Sequence, residues 1–169
     1  MLMKSTKNRG SEPDSPVETG TRNPRLKLTI QYATAAADVP VRSRFRKWVK
    51  AALAHDAEIV LRIVDEAEGR RLNRDFRGKD YATNVLTFGY GDARPLSGDI
   101  VLCAPVIENE ARQQHKNPGA HYAHLAVHGV LHLQGYDHEN DAGAAIMERR
   151  ETEIMERLGY DNPYNEIAD

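Results

Sequence analysis

Residues 118–134, PGAHYAHLAVHGVLHLQ, constrain this chain more than any other stretch. At about 100° per residue, His121, His124, His128 and His132 fall within an arc of roughly 80° on a helix. The other directions carry Tyr122, Leu125, Ala126, Val127, Val130, Leu131 and Leu133. A helix that is apolar almost all round belongs in an interior. The chain is therefore expected to wrap its other elements around a central helix whose polar stripe is imidazole. A satisfied core histidine would explain one such residue, but not four in register.

His128 and His132 stand at i and i+4, one turn apart on one face, the spacing that lets two imidazoles bind one metal. Gly135 follows three residues later, where a helix can stop in the left-handed conformation that glycine adopts cheaply. The turn through Tyr136 and Asp137 can then bring His138 back over the helix end. This H-x-x-x-H-x-x-G-x-x-H geometry also occurs in the metzincin proteases. Three imidazoles without a thiolate describe a catalytic zinc site with a fourth position open. Zinc is the expected occupant, although imidazole also accepts nickel, copper and other divalent ions. His121 and His124 are assigned packing or supporting roles. Asp137 either supports an imidazole or simply shapes the turn.

Metzincins carry a glutamate directly after the first histidine as the general base. That position here is Gly129, which can neither take nor give a proton. Peptide hydrolysis thereby loses its usual base. Attack at phosphorus instead favours a fixed cation beside the metal, best an arginine fork. The segment RRLNRDFRGKDYATNVLTF (70–88) offers Arg70, Arg71, Arg74, Arg77 and Lys79. Arg77 and Lys79 are expected in the turn, free to face a cleft.

The 169 residues are about the size of one domain, and the formal net charge of −2 argues against indiscriminate binding to nucleic acid. Its distribution is uneven. Residues 38–79 hold 11 Lys and Arg against 7 Asp and Glu, whereas 137–169 hold 3 against 10. A polyanion would have to meet one face and avoid another. The single Cys103 excludes an internal disulfide framework and a thiolate zinc site. No apolar run approaches the ~18 residues that span a bilayer, and residues 1–24 contain no signal-peptide core. The expected setting is the cytoplasm, without a membrane partner.

Residues 1–24 are too poor in apolar groups to join a core and are expected to form a disordered tail. Residues 25–169 are expected to form one domain. Strand alternation marks Leu26, Leu28, Ile30 and Tyr32, and a β-branched run covers 57–65. TNVLTFGYG and SGDIVLCAP read as two further strands joined as a hairpin. Helical spacing groups Phe45, Trp48, Val49, Ala52 and Leu53, and pairs Leu72 with Phe76. After Pro105 the chain reads as helix over 105–115, 119–134 and 142–158, the last with Ile146, Met147, Ile154, Met155 and Leu158 inward. The fold class is α+β: a mixed sheet of about four strands with about five helices, and the zinc site on the central buried helix.

LNRDFRGKDYATNVLTF (72–88), GDIVLCAPVIENEA (98–111) and HGVLHLQGYDH (128–138), in that order, resemble the YbeY family of bacterial rRNA-maturation endoribonucleases. The likeness runs from about Leu26 to LGYDNPY (158–164) and leaves the tail unexplained. It implies an α+β fold with one zinc on His128, His132 and His138, and a functional arginine at Arg77. It also implies cleavage of single-stranded RNA in maturing the 3′ end of 16S rRNA and in ribosome quality control. The implied partners are the small ribosomal subunit or ribosome-associated proteins, with no role for DNA. Ala82 and Gly89 stand where the family often has proline, which bears on loop stiffness rather than chemistry. Two other classes stay open: a zincin-like metalloprotease, and a non-catalytic ribosome assembly factor.

Overall fold

The computed structural model describes residues 23–165. The expected tail over residues 1–24 falls almost wholly outside them. Four strands, β1 (Leu26–Ala33), β2 (Ala57–Val64), β3 (Val85–Gly89) and β4 (Leu96–Cys103), form one sheet in the order β1-β2-β4-β3. β1 and β4 both run parallel to β2, and β3 is antiparallel to β4. The five described helices are α1 (Arg42–Ala52), α2 (Glu66–Arg77), α3 (Ala104–Gln113), α4 (Pro118–Leu133) and α5 (Asp141–Arg157). The expected mixed α+β architecture is therefore the one formed.

β2 is hydrogen-bonded on both edges, and its Ile59, Leu61 and Ile63 are buried on one face while Glu58 on the other is exposed. Alternation divides the sheet into two faces. Ile59, Leu61, Ile63, Ile100 and Leu102 join the main core beneath α1 and α4. Val64, Leu86, Val101 and Cys103 form a smaller cluster with Leu72 and Val106 on the other face. Trp48 and Phe45 of α1 are buried and meet edge to face at 5.4 Å. Each large side chain so buried contributes roughly 1.5–3 kcal/mol.

Helix ends follow local chemistry. Asn117 accepts from the Ala120 amide at 3.1 Å and Pro118 opens α4. At its other end Gly135 has φ +99°. The Gly135 amide donates to His132 O at 3.0 Å and the Tyr136 amide to Leu131 O at 3.1 Å, a Schellman stop. Gln134 ties this end to α1, donating to Ala52 O and accepting from the Ala54 amide, both at 2.7 Å.

One expectation on a helix face fails. Ile146 is 53% exposed, because Met147, Glu151, Ile154 and Met155 make the inward stripe of α5 and Ile146 lies about 100° away from Met147. Leu72 and Phe76 do lie one turn apart on α2 as their spacing predicts; Phe76 is exposed, and its ring packs on Phe88 of β3 at 5.4 Å.

Candidate metal centre

Within α4, residues Tyr122–Val127 and Gly129–Leu131 are buried, so the helix occupies the interior as its composition requires. The imidazoles of its last two turns emerge at the edge of the sheet into a cleft of about 880 Å³. His128 and His132 project from the helix, and the turn released by Gly135 carries His138 beside them. Ring centroids are 4.6 Å apart for His128 and His132, 4.8 Å for His132 and His138, and 5.5 Å for His128 and His138. One ligand nitrogen from each lies within 4.8 Å of the others. The sequence singled out these three residues, and the fold brings them together.

The donor set fits a divalent metal. Burial first, then the neighbouring His128 and His138 imidazoles, bring the pKa of His132 down to about 4. It is therefore neutral near pH 7, with a lone pair to give. His128 is oriented from behind by Glu151 of α5, which is 0% exposed and hydrogen-bonded to His128 Nδ1. Burial pushes the Glu151 carboxyl up, but its bonds to His124 and His128 outweigh that and hold it at about 2. An ionised carboxylate can only accept, so Nδ1 carries the proton and Nε2 is left for the metal. Tyr164 donates its hydroxyl to the other Glu151 oxygen, and His124 Nε2 lies 3.6 Å from that oxygen.

Glu151 did not emerge from the sequence, although one signal was present: a lone carboxylate on an otherwise apolar helical stripe. His124, His128 and Glu151 form a second converging group. Its His128 and Glu151 atoms already bond to each other, so these atoms are engaged. Asp137 has the turn role, since its Oδ1 accepts from the Glu139 amide at 2.6 Å.

Arg77 and Lys79 also line the cleft. Arg77 closes α2 rather than standing in the turn, and its guanidinium donates to Thr87 O at 3.2 Å. Gly78, at φ +71°, then turns the chain towards Lys79. Arg70 is held by Asp80 in a two-point pair at 2.8 and 3.0 Å, and Arg74 is within 3.3 Å of Asp75. Of these four, Arg77 and Lys79 have no carboxylate partner among the described residues.

Gly129 has a second meaning besides the absent base. A Cβ there would stand 3.1 Å from Ile100 Cγ2 and 3.4 Å from Thr87 Cγ2. The helix thus lies directly on β3 and β4, where a side chain would press on Ile100 and Thr87.

Comparison with known proteins gives concordant results. The model of a family described as Endoribonuclease YbeY matches residues 29–159. An Endoribonuclease YbeY from Nitrosospira multiformis is 59% identical, over 96% of this chain and 94% of that protein. One from Nitrosomonas europaea is 63% identical, over 89% and 92%. A solution structure from Thermotoga maritima aligns with a TM-score of 0.57 at 27% identity, covering 78% of this chain and 88% of that one.

Proposed function

The chain belongs to the YbeY family of endoribonucleases and is an RNA-cleaving hydrolase; from that premise we propose a zinc-dependent enzyme specific for single strands. We assign it to maturation of the 16S rRNA 3′ end and to ribosome quality control, in the cytoplasm, with the small ribosomal subunit or its associated proteins as partners. Among the described residues no helix is long and apolar enough to cross a membrane. DNA is not an expected substrate. Residues 25–169 act as the single hydrolase domain, and residues 1–24 as a tail outside it.

The observation that carries this reading is the meeting of three imidazoles with two carboxylate-free cations in one cleft. His128, His132 and His138 would hold the metal. When bound, zinc supplies Lewis acidity towards a phosphoryl oxygen and acidifies water; nickel is the alternative occupant that imidazole admits. Arg77 presents a planar fork to the scissile phosphate and opposes the charge that grows on its non-bridging oxygens. Lys79 adds a second positive charge along the strand. A flexible single strand can lay its phosphates across this cleft, whereas a stiff A-form duplex presents them on a fixed cylinder.

One observation favours a second reading as a protease. β3 is an edge strand beside the cleft, and a free edge can accept an extended peptide. Gly129 opposes it, because that position holds no base and a Cβ there would already press on Ile100 and Thr87.

The deciding experiment incubates metal-loaded protein with a single-stranded RNA, the same RNA annealed as a duplex, and casein. Metal-dependent cutting of the single strand, little of the duplex and none of casein is expected. The activity must disappear in His132→Ala. Casein cleavage that depends on His132 would restore the protease, and inertness towards all three would favour an assembly factor.

A further inference from the structure

A hydrogen-bonded pair, a buried imidazole on a half-buried carboxylate, lies beneath the cleft, outside the metal centre, and the chemistry described so far makes no use of it. Glu110 of α3 accepts from His121 Nε2 of α4 at 2.9 Å, and His121 is 5% exposed. Asn84, immediately before β3, donates its Nδ2 to both Glu110 oxygens at 3.1 and 3.3 Å. The Asn84 backbone is fixed as well, since its carbonyl accepts from the Cys103 amide at 3.0 Å. Asn84 lines the cleft with Arg77, Lys79 and the three imidazoles, and connects the Glu110–His121 pair to it.

The carboxylate dictates which way the Asn84 amide faces. Burial pushes the Glu110 carboxyl up, but the His121 and Asn84 hydrogen bonds overrule it and leave it below its ordinary value. Ionised Glu110 only accepts, so the NH2 end of Asn84 must face it, and a flipped amide would set oxygen against oxygen. Oδ1 is thereby turned away from Glu110, and among the described residues none donates to it. A fixed carbonyl oxygen repels phosphate oxygens, so its ligand is a neutral O–H or N–H donor.

We propose that Asn84 Oδ1 is the cleft's acceptor for the ribose 2′-hydroxyl of the substrate strand, with Glu110 and His121 as positioning residues that hold the amide in that orientation. The inference rests on the endoribonuclease reading and deepens it. Ribose hydroxyls and base amino groups share the required donor chemistry. The hydroxyl is favoured because it keeps a constant distance from the phosphates that Arg77 and Lys79 attract, whatever the base. It is also the group that distinguishes RNA from DNA.

The test uses the full-length, metal-loaded protein with single-stranded oligo(U) and oligo(A) substrates, measuring KM and kcat separately. Asn84→Ala should raise KM about 3- to 10-fold, the worth of one net hydrogen bond, and leave kcat nearly unchanged. The factor should be the same for both strands, because ribose is common to them. A penalty confined to one strand would move the donor to the base and overturn the ribose assignment. A fall in kcat alone, or no change in either constant, would remove Asn84 from the substrate contacts.

Glu110→Gln frees the amide to turn over, so it should raise KM in the same direction. The double variant Asn84→Ala/Glu110→Gln should be no worse than Asn84→Ala alone. A purely structural Glu110 would add its own penalty, and additive losses would therefore refute the positioning role. If the wild-type protein cleaves neither strand, the nuclease reading itself falls. Cleavage by wild type with Asn84→Ala unaltered removes only this inference.

Discussion

Replacing Glu151 with glutamine keeps its volume and removes its charge, which isolates what the carboxylate does for the metal. The wild-type carboxylate accepts from His128 Nδ1 on one oxygen and from the Tyr164 hydroxyl on the other. Glutamine can still offer its carbonyl to His128 and turn its NH2 towards the hydroxyl, which has lone pairs to receive it. The fold should therefore survive. The bond to His128 changes from charge-assisted to neutral, about half as strong, and the imidazole becomes a poorer electron donor. Losing such a supporting partner typically costs 10- to 100-fold in metal affinity, or about 1.4–2.7 kcal/mol. Competition titration of zinc against a chromophoric chelator measures it, with thermal unfolding of the metal-free proteins as the control for folding. Affinity within twofold of wild type, in a folded variant, would refute the claim that Glu151 orients His128 for ligation.

Other perturbations separate chemistry from stability. Arg77→Ala loses one hydrogen bond on the surface, so the melting temperature should stay within a few degrees while most RNA cleavage disappears; unfolding would mark Arg77 as structural. Gly129→Ala must push Ile100 or Thr87 aside, and should destabilise by about 1–3 kcal/mol in a denaturant titration, whereas unchanged stability would show that α4 can lift off the sheet. Because Glu110 is held below its ordinary pKa, its contribution is full above that ordinary value and is lost as pH falls through the lowered one. Wild type should accordingly lose more stability than Glu110→Gln between pH 5 and pH 3, with parallel melting curves as the contrary result. Deleting residues 1–24 should leave circular dichroism and metal content intact; precipitation or loss of metal would place the tail on the domain.

The parts of this fold visible in the sequence are those governed by short-range periodicity. Phe45, Trp48, Val49 and Ala52 recur at helical spacing and all are buried. Gly135 marks the end of α4 because a left-handed residue is needed there. The three histidines are legible for the same reason, being separated by one turn of helix and one tight stop. What the sequence concealed depends on pairing across distance. That β4 lies between β2 and β3 is set by sheet register, which no local pattern encodes. Asn84, Glu110 and His121 come from a loop and two helices far apart in sequence, and only the packed fold gathers them. Glu151 had a local signal, but its partner lies 23 residues away. Ile146 misled because apolar character alone does not say which of two adjacent faces is covered.

The three imidazoles lie within eleven consecutive residues, 128–138, and this has a consequence for how the protein matures. Closing so short a segment around an ion costs little chain entropy, so the unfolded chain would retain some affinity for it. Any affinity for the unfolded chain subtracts from the stabilisation that the ion gives the native state. Arg77, 51 positions before His128, reaches the cleft only after β3 has docked against β4 beneath α4. An ion held by these three imidazoles would thus need only residues 128–138, whereas the arginine would need the finished cleft.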